Sequence, residues 1–126
     1  MVLAVQIIAL DRQPRSYAQA ALVTDPSRIL YISGQVPETA DGTVPAGFDA
    51  QCRLAWHNVL GVLSQAGMTM RNLTKVTVFL SDRQFREANA HIRHEVLGGH
   101  SPALTVIITG IYDEAWLLEI EAVAIS

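Results

Sequence analysis

An α+β domain with two helices on one face of a mixed sheet is the architecture this sequence predicts, and three observations carry it. Apolar residues recur at helical spacing in two long stretches, 48–66 and 82–97. Period-two stretches precede, separate and follow them, and no repeat or linker divides the chain. At 126 residues with 50% hydrophobic composition, the whole of 1–126 fits one domain with a packed core.

The elements follow in order. Residues 2–9 are strand-like, and Asp11-Arg12-Gln13-Pro14-Arg15 breaks them into a loop. Residues 20–23 and 29–32 flank Thr24-Asp25-Pro26-Ser27, where proline presets one backbone angle, so the spacing predicts a hairpin. That strand ends at Gly34, which lets the backbone approach a neighbour, and a loop rich in Gly and Pro runs to Gly47. From 48 to 66, Phe48, Cys52, Ala55, Trp56, Val59, Leu60 and Leu63 share a helical face, with Gly67 as the stop. Residues 73–80 alternate Thr74, Val76, Val78 and Leu80 against Leu73, Lys75, Thr77 and Phe79, as a strand does. Ser81, with Gln84 three later, has the form of a capping box and predicts a helix over 82–97 that ends at Gly98-Gly99. Its apolar stripe is Phe85, Ala88, Ile92 and Val96. Asn89 falls at the stripe's edge, where a polar group wants a partner. A β-branched strand at 103–109, a turn at 110–114 and a closing strand at 117–125 complete the order.

The closing strand holds the first functional candidates. Leu118, Ile120, Ala122 and Ala124 form one wholly aliphatic face, suited to cover by a helix, while Glu119 and Glu121 lie two apart on the other. A carboxylate that faces a cleft can hold or deprotonate water and return the proton to a leaving group; on a plain surface it would pair with Lys75 or an arginine. His91 and His94 are three apart on a helix, but no Cys or Asp cluster completes a metal site, so no metal or other cofactor is expected.

A net charge of −3 gives no general attraction to polyphosphate, which argues against nucleic acid as a partner. The single cysteine, Cys52, excludes an internal disulfide and reads as a small buried residue. The opening residues lack a basic start and a small-residue cleavage site, and no stretch reaches the length of a membrane span. A soluble, cytoplasmic protein is the expectation.

Several segments taken together resemble the YjgF/RidA (reactive intermediate deaminase) family over nearly the whole chain. They are Tyr17-Ala18-Gln19-Ala20, Ile32-Ser33-Gly34-Gln35-Val36-Pro37, Gln51, Asn58, Ala66-Gly67, Val76-Thr77-Val78-Phe79-Leu80-Ser81-Asp82, Phe85, Asn89, Pro102-Ala103 and Glu119-Ile120-Glu121-Ala122-Val123-Ala124. The resemblance implies a chorismate-mutase-like fold and a homotrimer with small-ligand clefts between subunits. It also implies an activity, hydrolysis of 2-imino or 2-enamino acids to 2-keto acids and ammonia; older family names are translation inhibitor and endoribonuclease L-PSP. By the same resemblance Tyr17 and Ser33 are polar groups of the pocket, Gly34 lends it backbone, Asn89 lies beside it, and Glu119 positions water.

One position departs. Family members read Pro-Ala-Arg where this chain reads Pro102-Ala103-Leu104, and that arginine grips the substrate carboxylate through a fork of donors. Leu104 therefore implies either a ligand without a carboxylate at that end, or that Arg12 or Arg15 takes over. The expected function is a trimeric cleft protein binding a small organic ligand, with hydrolysis or tautomerisation at a C=N or activated carbonyl centre if it is an enzyme. A non-catalytic sensor or interaction module is the rival, and ribonuclease activity conflicts with the acidic balance.

Overall fold

The computed structural model describes residues 6–126, so the first half of the expected opening strand, 2–5, lies outside the described residues. Six strands, β1 (Gln6–Gln13), β2 (Tyr17–Thr24), β3 (Ile29–Gln35), β4 (Leu73–Leu80), β5 (Ala103–Ile108) and β6 (Leu118–Ile125), form one mixed sheet in the order β1-β2-β5-β4-β6-β3. Helices α1 (Phe48–Gln65) and α2 (Arg86–Leu97) pack on one face of it. The alternation in β6 runs as its sequence predicts: Leu118, Ile120, Ala122 and Ala124 are buried under the helices, while Glu119 and Glu121 point to the other face.

The expected hairpin between 20–23 and 29–32 does not form. β2 pairs with β1, antiparallel, and β3 pairs with β6. The reason lies at the far end of the chain. Ser27 and Arg28 donate their backbone N–H groups to the carbonyl of Ser126, and Arg28 also reaches the Ser126 hydroxyl at 2.9 Å, which ties the start of β3 to the end of β6. The true hairpin turns at Pro14-Arg15-Ser16, with φ of 66° at Arg15 and 60° at Ser16, so β1 extends through the predicted loop to Gln13. β2 meets β5 only at Ala18↔Ala103 before diverging.

Three smaller differences follow from local chemistry. β3 continues past Gly34 to Gln35, with a register irregularity between Ile32 and Gln35. The cap of the second helix is Asp82 and not Ser81: its carboxylate accepts from the Gln84 N–H at 2.8 Å, and a 3-10 turn over Arg83–Phe85 precedes α2. Leu60 is exposed. On α2 the predicted stripe packs on the core, Ile92 buried and Phe85, Ala88 and Val96 in part, and the buried face widens to take in Asn89, Arg93 and Leu97.

Candidate functional site

A cavity of about 570 Å³ opens between α2 and β5. Tyr17, Asn89, Arg93 and Leu104 meet in it, with exposed Arg83, Arg86 and Glu87 beside them. Leu104 is there because the parallel register Val76↔Leu104 and Val78↔Val106 turns those β5 side chains toward the helix layer. The floor is apolar, formed with Leu80 and Ile108, and the helix wall is polar. Asn89 is 2% exposed and its Oδ1 has no hydrogen-bond partner among the described residues. Arg93, 4% exposed, donates from Nε and Nη2 to the carbonyl of Arg15 and lies with its guanidinium carbon 5.9 Å from the centre of the Tyr17 ring. Burial pulls the Arg93 pKa below its usual value, and neighbouring Arg15 adds to the effect.

Glu119 is elsewhere. Its strand lies two places from β5, and its register partner is Phe79, on the face away from the helices. Half-buried, it pairs with no cation among the described residues. Instead its carboxyl packs on the backbone of Gly34, where an added Cβ would stand 2.6 Å from Glu119 Cδ and 2.7 Å from Oε1. Only glycine leaves room for that carboxylate. Exposed Ser33 lines a smaller hollow of about 240 Å³ with Lys75, Thr77 and Glu121. Lys75 does not pair with either glutamate; its Nζ donates to Thr105 Oγ1 at 2.6 Å.

The predicted residues thus fall into two groups on opposite faces of the sheet: Tyr17, Asn89 and Leu104 around the large cavity, and Ser33, Gly34 and Glu119 around β3 and β6. Arg15 stands beside the first group, but its guanidinium is engaged with Glu87 at 2.8 Å. Arg12 is away from it, donating to the carbonyl of Gly99. The residue that sequence reasoning passed over is Arg93. Its signal was present, four positions after Asn89 and so on the same helical face.

His91 and His94 have structural partners. Ser16 Oγ donates to the Gly98 carbonyl at 2.5 Å, so its one proton is used and His94 Nδ1, 2.8 Å away, is the donor to it. The contact ties the β1–β2 turn to the end of α2. His91 sits 2.8 Å from Glu95, and no metal-ligating cluster occurs among the described residues. Among the described residues no helix is long and apolar enough to cross a membrane.

A family model described as endoribonuclease L-PSP matches residues 11–126. The chain belongs to the YjgF/RidA superfamily. A RutC family protein of Haemophilus influenzae is 31% identical over 125 residues, 95% of this chain and 96% of that one. A 2-iminobutanoate/2-iminopropanoate deaminase of Rattus norvegicus is 29% identical over 127 residues, 96% of this chain and 90% of that one. Among solved structures, YyfB of the Rid protein family from Yersinia pestis has a TM-score of 0.83 at 22% identity, covering 98% of this chain and 100% of its own. RidA from an Antarctic Psychrobacter has a TM-score of 0.76 at 21% identity, covering 99% and 100%. At those identities the two structures speak for the fold alone, and the RidA-like architecture of two helices on a mixed sheet is the one found here.

Proposed function

We propose that this RidA-family protein binds a small organic ligand in clefts between the subunits of a homotrimer and hydrolyses a C=N bond there. The reading is supported by one observation above all: the two groups of site residues face opposite sides of one sheet, so a single chain does not bring them together. Two copies can. One would contribute Tyr17, Asn89 and Leu104, the other Ser33, Gly34 and Glu119.

In such a cleft Glu119, free of a cationic partner among the described residues, takes a proton from water as the oxygen adds to the imine carbon. The same carboxyl returns a proton to nitrogen, and the C–N bond breaks. The imine plus water become the ketone and ammonia, with no other reactant. An enamine enters the same path after protonation on carbon. The relative named as a 2-iminobutanoate/2-iminopropanoate deaminase favours a 2-imino acid as the substrate.

The test has two parts. Light scattering should give a mass three times that of one chain, and ammonia should be released from freshly generated 2-iminobutanoate, about a hundredfold more slowly in Glu119→Gln. A monomer at micromolar concentration would remove the interfacial cleft. A trimer without ammonia release would favour the non-catalytic binding module, the reading that the loss of an arginine at Leu104 suggests.

A further inference from the structure

Arg12 and His100 belong to neither group of site residues, yet they meet each other. Where β4 begins and β6 ends, a separate hollow of about 300 Å³ is lined by Arg12, Arg71, Asn72, His100 and Ser126. It shares no residue with the cavity beside α2 or with the hollow beside Ser33. Its charged side chains have one sign. No Asp or Glu lines it, and neither Arg12, Arg71 nor His100 forms an ion pair among the described residues. Other exposed arginines of this chain do find a carboxylate: Arg15 holds Glu87 and Arg53 holds Glu95, each at 2.8 Å. The Arg71 guanidinium has no hydrogen-bond partner among the described residues, and Arg12 has one long contact, 3.3 Å to the Gly99 carbonyl.

The framework that carries these charges is pinned. Asn72 Oδ1 accepts from the Thr69 N–H and its Nδ2 donates to the Ile125 carbonyl, both at 2.8 Å, so the 3-10 turn Met70–Asn72 that bears Arg71 is fastened to the end of β6. His100 Nε2 donates to the Leu73 carbonyl at 2.7 Å, which holds the ring against the start of β4. Burial lowers the His100 pKa, and Arg71 and Arg12 lower it further against the pull of that hydrogen bond, so the charge of both guanidiniums is felt at the ring. Three segments far apart in sequence thus bring positive charge to one concave place.

We infer that this hollow binds a phosphate group, free or carried by a small metabolite, between Arg12 and Arg71 and beside His100. A phosphate monoester brings a charge of about −1.5 to −2 and three acceptor oxygens near pH 7. Its tetrahedral oxygens meet donors that arrive from separate directions, whereas a planar carboxylate matches one guanidinium fork at a time. A single hollow on a chain of net charge −3 favours a small anion over a nucleic-acid backbone, which needs a basic track. The site lies apart from the proposed cleft, so neither reading depends on the other.

Thermal unfolding of the full chain at matched ionic strength in chloride, acetate, inorganic phosphate or glycerol 3-phosphate tests this. Phosphate and the monoester at about 10 mM should raise the melting temperature by about 3–6 °C over chloride, and acetate should not. Arg71→Gln and Arg12→Gln, both at exposed positions, should each lose about tenfold in phosphate affinity by calorimetry. Arg53→Gln, which removes the same charge from α1, should keep the response. Tighter binding of the monoester than of inorganic phosphate would support the site and assign it to a phosphorylated metabolite; equal binding would support it as a site for the free ion. An equal shift in acetate, or an unchanged phosphate response in both Arg71→Gln and Arg12→Gln, would overturn the inference. So would loss of the response in Arg53→Gln, because net charge and not this hollow would then account for it.

Discussion

Gln51 on α1 and Asn89 on α2 are both amide side chains, both nearly fully buried, and both on helices that face the same sheet. Gln51 is finished. Its Nε2 donates to the carbonyls of Pro45 and Ala115, each at 3.0 Å, and its Oε1 accepts from the Leu117 N–H at 2.8 Å. It thereby fastens the loop before α1 and the segment entering β6. Asn89 is left with an unpartnered oxygen and a cavity in front of it. The same chemistry serves the fold in one place and is left open to a cavity in the other, and the difference lies in whether the surrounding backbone closes on it.

The sharpest break of that comparison is Gln51→Ala, which strands three backbone groups at once. Urea unfolding should register a loss of roughly 2–4 kcal/mol, since buried groups left without partners carry their full desolvation cost. Gly34→Ala tests the open side through Glu119. The new methyl meets the flexible end of that side chain, so stability should change by only about 1 kcal/mol or less. Ammonia release should nevertheless fall about tenfold or more, because the carboxyl must leave its place. Asn89→Leu should go the other way from Gln51→Ala: replacing an unpartnered oxygen with an apolar group leaves stability unchanged or higher by up to about 1 kcal/mol in the same urea titration.

The smallest expected effect concerns His100, a finished group whose Nε2 lies 2.7 Å from the Leu73 carbonyl. Burial holds its pKa below the ordinary 6.5, against the pull of that hydrogen bond. As pH falls through about 6.5, the unfolded chain takes up this proton before the folded one does. The contribution is therefore complete above that pH and declines below it. In pH-dependent unfolding, His100→Gln should flatten this part of the curve. Glu87 and Glu95, held below their ordinary 4.5 by Arg15 and Arg53, lose their contributions only at lower pH. A further check on the closed side is Cys52, whose thiol burial pushes up to about 12; it should react with thiol reagents at pH 8 only when the protein unfolds.

What the sequence determined by itself was periodic and local. The faces of α1 and β6, the stop at Gly67 and the place of Glu119 opposite the aliphatic face follow from spacings of two to four residues, which fix side-chain direction without reference to the rest of the chain. The assembled family motifs placed the fold. Strand partnership was a tertiary decision: the turn before β3 looks like a hairpin until Ser126, 98 residues from Arg28, claims it. So was the width of the buried face of α2. Pattern alone set Phe85, Ala88, Ile92 and Val96 inward, and they pack on the core, but closing the helix onto the β1–β2 turn required the Arg15 carbonyl to be met, and Arg93 meets it across 78 residues. A buried charge has no local signature. Whether an arginine is solvated or enclosed depends on which distant backbone comes to lie over it, and that is why Arg93 and the polar wall it makes with Asn89 came to light only in the folded chain.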